Sequence, residues 1–175
     1  MGALVIYSSK TGYTARYARW IAQELSADIL PRAEVAKRHL NDYDTIIYGG
    51  SLHASGIRGI SFMKKNMTLL RDKTVVIFAV GATPVRAETI KEIKDKNLKT
   101  EEMEKISFFY FRGGFDFSAL SPFDKFLMWL MKRKIKSKQT LTEDDKGFLE
   151  AFSVPKDFTD KKDIKALVEF CKKNH

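Results

Sequence analysis

Six residues near the amino terminus, Ser9-Lys10-Thr11-Gly12-Tyr13-Thr14, have the types and the spacing to hold a phosphate. The hydroxyls of Ser9, Thr11 and Thr14 can donate hydrogen bonds to phosphate oxygens. Gly12 lets the backbone wrap closely, with no Cβ in the way. Before them runs Ala3-Leu4-Val5-Ile6-Tyr7, a continuous apolar stretch that predicts a strand buried on both faces of a parallel sheet. After them, Ala18, Ile21, Ala22 and Leu25 recur at helical spacing. Strand, hydroxyl loop and helix start together aim backbone N–H groups and the positive end of a helix dipole at one point. Two common phosphate loops are excluded by spacing: no G-x-x-x-x-G-K-[ST] occurs, and no G-x-G-x-x-G follows a strand. A phosphomonoester held by hydroxyls and amides fits; so does a plain strand–helix turn capped by Ser and Thr.

The elements that must position this loop follow a strand–helix alternation. Asp28-Ile29-Leu30 reads as a short second strand stopped by Pro31, and residues 32–44 as a polar connection. Thr45-Ile46-Ile47-Tyr48-Gly49 is a β-branched third strand, and Gly50 to Gly59 a flexible loop after it. A helix then carries Ile60, Met63, Met67 and Leu70 on one face. Thr74 to Val80 is the fourth strand and the strongest apolar run, ending in Gly81-Ala82-Thr83-Pro84 before a charged helix through Ile90 and Ile93. Ile106 to Phe111 is the fifth strand, followed by Arg112-Gly113-Gly114. A last helix, about Asp160 to Lys173, spaces Ile164, Leu167, Val168 and Cys171 at i, i+3, i+4, i+7. The pattern predicts an α/β fold with a doubly wound five-stranded parallel sheet. In such sheets ligands sit beyond the carboxyl ends of the strands, so the loops after strands one, three, four and five converge on one crevice.

Length and composition narrow the function classes. The 175 residues suit a single domain, and a hydrophobic content of 44% is that of a globular chain. No apolar run approaches the roughly 20 residues needed to span a bilayer. The early entry into a strand at Ala3 leaves no room for a signal peptide, so a cytoplasmic location is expected. Cys171 is the single cysteine, on the apolar stripe of the last helix, and reads as a buried inert thiol. His39, His53 and His175 have no metal-ligand spacing, and no metal is expected. A net charge of +9 calls for an anionic partner. Nucleic acid is not expected, because the aromatics Phe108 to Phe111 are better used as a buried strand.

The segment Ser9-Lys10-Thr11-Gly12-Tyr13-Thr14 resembles the [ST]-x-T-G-x-T phosphate loop of flavodoxins, which holds the phosphate of FMN. The glycine-rich loop after strand three and Gly81-Ala82-Thr83-Pro84 correspond to the other two FMN-binding segments of that family, so the similarity covers nearly the whole chain. It implies strand order 2-1-3-4-5 and FMN as cofactor. Ser9, Lys10, Thr11, Gly12, Tyr13 and Thr14 would hold the phosphate. Gly50, Ser51, Leu52 and His53 would border one side of the flavin, and Gly81, Ala82 and Thr83 the other, with Gly113 and Gly114 beyond strand five. His53 is the one obvious titratable candidate for a catalytic role in this crevice.

Two features depart from an electron-carrier flavodoxin. The chain is basic, and neither Gly50 to Gly59 nor Gly81 to Arg86 contains Trp, Tyr or Phe to stack on a flavin. Positive charge from His53, Arg58, Arg86 and Arg112 favours a flavin that accepts electrons from a substrate. The second departure is an insertion at about 113–140 within the single domain. Here Ser121 and Pro122 cap a helix with Phe123, Phe126, Leu127, Leu130 and Met131 on one face and Trp129 beside them. Lys125, Lys132, Arg133, Lys134, Lys136 and Lys138 stand against Asp124 alone. Residues 123–138 therefore suit packing on the sheet, a surface for an anionic membrane or a hydrophobic substrate, or a homodimer contact.

The insertion, the Asn41-Asp42-Tyr43-Asp44 approach to strand three and Phe123-Asp124-Lys125-Phe126 also resemble the menaquinone-dependent protoporphyrinogen dehydrogenase family. That resemblance implies an FMN oxidoreductase for a porphyrinogen- or quinone-type substrate, passing electrons to quinone at the inner face of the membrane. The alternative is a non-catalytic electron carrier that docks redox proteins through its basic rim.

Overall fold

Continuous apolar runs become the strands at the heart of the sheet, because only a strand covered on both faces buries every successive side chain. The structure, a computed structural model, describes residues 2–118, 120, 122–152 and 154–174. β1 (Ala3–Ser8), β2 (Asp28–Pro31), β3 (Thr45–His53), β5 (Thr74–Gly81) and β6 (Ile106–Arg112) run parallel in the order β2-β1-β3-β5-β6. In the numbering of the five predicted strands this is 2-1-3-4-5. The expected parallel sheet gains a sixth member, the short β4 (Gly56–Ile57), antiparallel to β3.

Alternate residues of each strand serve two cores. Leu4, Ile6, Ile46, Tyr48 and Ile77 pack with Phe62 and Met63 of α2 (Ile60–Lys65) and Ile93 of α3 (Ala87–Asn97). Val5, Ile47, Val76 and Phe78 pack with Tyr17 and Ile21 of α1 (Tyr13–Leu25) and with Leu167, Val168 and Cys171 of the carboxyl-terminal helix. Burial pushes the Cys171 thiol up to about 11, which leaves it a protonated packing group.

Several expected elements change. The flexible loop expected over Gly50–Gly59 is instead ordered pairing. β3 continues to His53, and Leu52 and His53 face Ile57 and Gly56 across a two-residue turn. That turn is Ala54-Ser55, both left-handed at φ 46° and 62°, in place of the usual Asn-Gly, so its composition does not announce a hairpin. The helix expected through Leu70 stops at Lys65, where buried Asn66 turns its side-chain amide back onto the Phe62 carbonyl (2.8 Å). Leu70 is still buried, from the turns that follow. A short α4 (Thr100–Met103) precedes β6. The last expected helix is split: a 3-10 turn at Lys161–Ile164 leads into α7 (Lys165–Lys173).

The chain divides into two compact units, 1–113 with 159–175, and 114–158. In the second unit β7 (Gly114–Phe115) pairs antiparallel with β8 (Lys156–Asp157), around α5 (Pro122–Lys136) and α6 (Glu143–Ala151). Ser121, the expected cap of α5, lies outside the described residues. Sequence periodicity did not reveal α6. Its start is nonetheless written locally, since the Thr142 hydroxyl accepts from the Asp145 N–H (3.1 Å) and the Asp145 carboxylate from the Thr142 N–H (3.0 Å). Lys138 beside it holds the Asp145 carboxyl below its usual range. Phe115, Phe117, Phe148 and Phe152 form the unit's aromatic centre, with Phe117 and Phe152 ring centroids 4.8 Å apart.

Candidate functional site

The parallel register brings the strand ends level. Ser8 lies opposite Gly50, Ser51 opposite Val80, and Gly81 opposite Arg112. The connections that leave β1, β3, β5 and β6 therefore start from one edge of the sheet.

At the first of these, Gly12 is left-handed at φ 90°, and a Cβ built on it would meet no atom within 4 Å. Its N–H donates to the Ser9 hydroxyl (3.1 Å) and its carbonyl accepts from the Arg16 N–H (3.0 Å), which opens α1. The first turn of α1, Tyr13-Thr14-Ala15-Arg16, carries no acid to compete for its free amides. Lys10 and Thr11 are exposed, and Ser9 and Tyr13 half-buried. Thr14 is only 1% exposed, and its Oγ1 has no hydrogen-bond partner among the described residues. A buried hydroxyl left unpaired costs about 1–3 kcal/mol. Such a group beside an open glycine and a helix start is what an anionic ligand satisfies.

The other glycines of the edge are explained differently. A Cβ on Gly50 would lie 2.4 Å from Ile57 Cγ2 and 2.8 Å from the Arg58 carbonyl oxygen. On Gly81 it would meet Leu52 Cδ1 at 2.9 Å and on Gly113 Val80 Cγ1 at 2.7 Å. Protein atoms fill those spaces, so close packing alone requires glycine there. Gly12 stands apart because its space is open.

Ser51 and Leu52 are half-buried along the upper part of β3, and His53 is exposed at the end of the strand. Across the edge, the Gly81 carbonyl accepts from the Gly113 N–H (2.8 Å), the Ala82 carbonyl from Arg112 Nε (3.2 Å) and the Thr83 carbonyl from the Tyr110 hydroxyl (2.7 Å). The Tyr48 hydroxyl donates to the Arg58 carbonyl (2.7 Å). Burial pushes both phenols up to about 12, so they stay protonated donors. Ser9 to Thr14, Gly50 to His53, Gly81 to Thr83 and Gly113 are thus gathered at one edge of the first unit, whereas Gly114 opens β7 in the second. Arg58 and Arg86 are exposed and Arg112 is half-buried, at the same edge.

Asn97 makes contacts to the β3–β4 hairpin that sequence reasoning missed. It is the last residue of α3, buried, and accepts from the Ile57 N–H through Oδ1 (2.7 Å). Its Nδ2 donates to the carbonyls of Ser55 (2.6 Å) and Ile93 (2.8 Å). A single asparagine at the end of a charged helix carries no sequence signal of such a contact. A hollow of about 240 Å³ lies at the opposite edge, lined by Ala3, Thr45 and Cys171 among others. Ala3 and Thr45 begin their strands, so it is remote from this site.

Residues 4–143 match the family model described as flavodoxin domain. No curated protein matches the chain. Among solved structures it is similar to a putative flavoprotein from Bacteroides eggerthii, at 18% identity and TM-score 0.47 over 74% of this chain and 96% of that one. It is also similar to the Trp repressor binding protein of Bacillus subtilis (15%, TM-score 0.48, 63% of this chain and 83% of that one). A third likeness is the two-electron reduced flavodoxin of Megasphaera elsdenii (12%, TM-score 0.44, 62% and 84%).

Proposed function

The chain belongs to the flavodoxin domain family, whose cofactor is FMN, and within it we propose an FMN-dependent oxidoreductase acting on a porphyrinogen- or quinone-type substrate, with electrons passed to a quinone. The observation that carries the cofactor's placement is the buried, unpartnered Thr14 hydroxyl beside the open Gly12. These residues fit FMN: Thr14, the hydroxyls of Ser9 and Thr11 and the first amides of α1 would hold its phosphate. The strand-end segments Ser51 to His53 and Gly81 to Thr83 would orient the ring. FMN supplies the electron-accepting chemistry, and the chain's part is to bind, orient and set charge around it.

Charge supports oxidation of a substrate over supply of low-potential electrons. A cation about 10 Å from the ring, at an effective dielectric of about 20–80, stabilises an anionic reduced ring by roughly 0.4–1.7 kcal/mol, or roughly 20–70 mV. Arg58, Arg86 and Arg112 all stand at this edge. Each hydrogen pair removed from the substrate leaves as quinol, so the reaction needs no other oxidant. His53, exposed beside the edge, is the candidate for receiving a substrate proton.

α5 supports attachment to an anionic membrane surface. Its outward side carries Phe123 (66% exposed), Phe126, Leu127, Trp129 (47% exposed), Leu130 and Met131, while Asp124 is buried. Lys132, Arg133, Lys134 and Lys136 crowd its last turns. Exposed aromatics beside a basic end suit a lipid surface with anionic headgroups, whereas two such ends brought together in a homodimer would repel. No helix among the described residues is long and apolar enough to cross a membrane. Vesicles containing phosphatidylglycerol are expected to sediment the protein, and neutral vesicles not. Replacing the four cations by alanine is expected to weaken binding about 1000-fold, at about 1 kcal/mol per cation. Equal sedimentation with both vesicle types would sink the membrane reading.

The function test is anaerobic titration with FMN, followed by porphyrinogen and a soluble quinone. Saturation at one FMN per chain, with porphyrin fluorescence that develops only when quinone is present, is the expected result. FMN binding without turnover, with fast salt-sensitive electron exchange to a redox protein, would favour the electron-carrier alternative that the basic surface also suits.

A further inference from the structure

We propose that Asn97 is a positioning residue for the cofactor site: it clamps the strained β3–β4 hairpin in the shape that forms one wall of the flavin-ring pocket. The inference rests on the FMN reading above and adds to it a residue outside every binding loop.

Ala54 and Ser55 are both left-handed, a conformation that costs an L residue of order 1–2 kcal/mol. Consecutive strained residues persist only where their surroundings over-determine them. Here α3 does so. Asn97 takes the Ile57 N–H and gives to the Ser55 carbonyl, binding the turn and the β4 arm at once. Lys96 donates to the Ala54 carbonyl, and the Ser55 hydroxyl donates to Glu92 (2.6 Å). Every residue of the turn is thus held by the last two turns of one helix. Ile93 and Leu98 anchor that helix end in the core, at 2% and 4% exposure, so the grip is rigid.

The other end of α3 gives the grip its meaning. Ala87 follows directly on the Gly81–Arg86 connection, the opposite wall of the same edge. One helix therefore begins at one wall and ends by holding the other, and it fixes the gap into which a flat ring must fit. The phosphate loop lies before α1 and has no part in this linkage, so the two contributions to binding separate.

The experiment compares FMN with riboflavin, which has the same ring and lacks the phosphate. Dissociation constants for both are measured by flavin fluorescence on wild type, N97A, N97A with A54G, and K96A with E92A. N97A is expected to weaken both ligands by the same factor, about tenfold, as the loss of one to two hydrogen bonds to the wall implies. The ratio of the two constants, which reports the phosphate loop, stays as in wild type. A54G relieves one strained residue, since glycine takes positive φ freely, and is expected to recover part of the loss. K96A with E92A changes only side chains on the surface and is expected to shift both constants two- to threefold in the same direction, whether or not N97A folds. Unchanged constants in both clamp variants, or a loss confined to FMN, would overturn the clamp. Failure of wild type to bind FMN at all would overturn the cofactor reading first, and the clamp with it.

Discussion

Thr14→Val is expected to make the protein more stable and worse at binding FMN. The side chain is 1% exposed and its hydroxyl is unpartnered, so the folded chain bears the desolvation of that hydroxyl with nothing to offset it. Valine keeps the shape and removes the oxygen. A gain of about 1–2 kcal/mol follows, which for a chain of this size raises Tm by roughly 2–8 °C. The same change deletes a donor to a charged phosphate, worth about 1.5–3 kcal/mol, so FMN affinity should fall roughly 10- to 150-fold. Riboflavin affinity should hardly move. Calorimetry of the cofactor-free protein and a flavin titration read the two effects separately. A lower Tm would mean that the hydroxyl is satisfied within the fold, and it would remove the main support for the phosphate site.

Gly49→Ala is expected to be the most destabilising single methyl in the sheet. Gly49 sits in β3 between Tyr7 of β1 and Phe78 of β5, and a Cβ there would fall 2.1 Å from Phe78 Cζ. Phe78 is fully buried and packs on Phe111 with ring centroids 5.5 Å apart, so the ring cannot step aside cheaply. Overpacking of this kind costs about 3 kcal/mol or more, a large part of a total stability of about 5–15 kcal/mol. Urea unfolding should show the midpoint falling with the slope unchanged. Phe78→Leu in the same chain makes room for the methyl, so the double variant should be more stable than the two single losses predict. Strict additivity would refute this account of why residue 49 is glycine.

Legibility differed between elements for identifiable reasons. Strands β1, β3 and β5 could be read because burial on both faces writes an unbroken apolar run, and the junction from β1 to α1 because its hydroxyls, glycine and helix start are adjacent in the chain. The hairpin after β3 could not be read. Its Ala54-Ser55 turn departs from the residues that local energetics prefer, and its contacts come from Glu92, Lys96 and Asn97, some forty residues later. α6 was missed since Phe148 and the Phe152 that follows the helix serve a small aromatic cluster and show no sustained helical period.

What the sequence determined by itself is therefore local and repetitive: an alternation of strands and helices, a turn of hydroxyl residues and one glycine at the first strand–helix junction, and a basic, apolar helix late in the chain. The tertiary structure alone decided which polar atoms are left unpaired, which glycines exist for packing, and that the helix begun after Arg86 ends against the β3–β4 hairpin. Those properties depend on atoms distant in the chain meeting at a few ångströms, and spacing along one segment does not encode them.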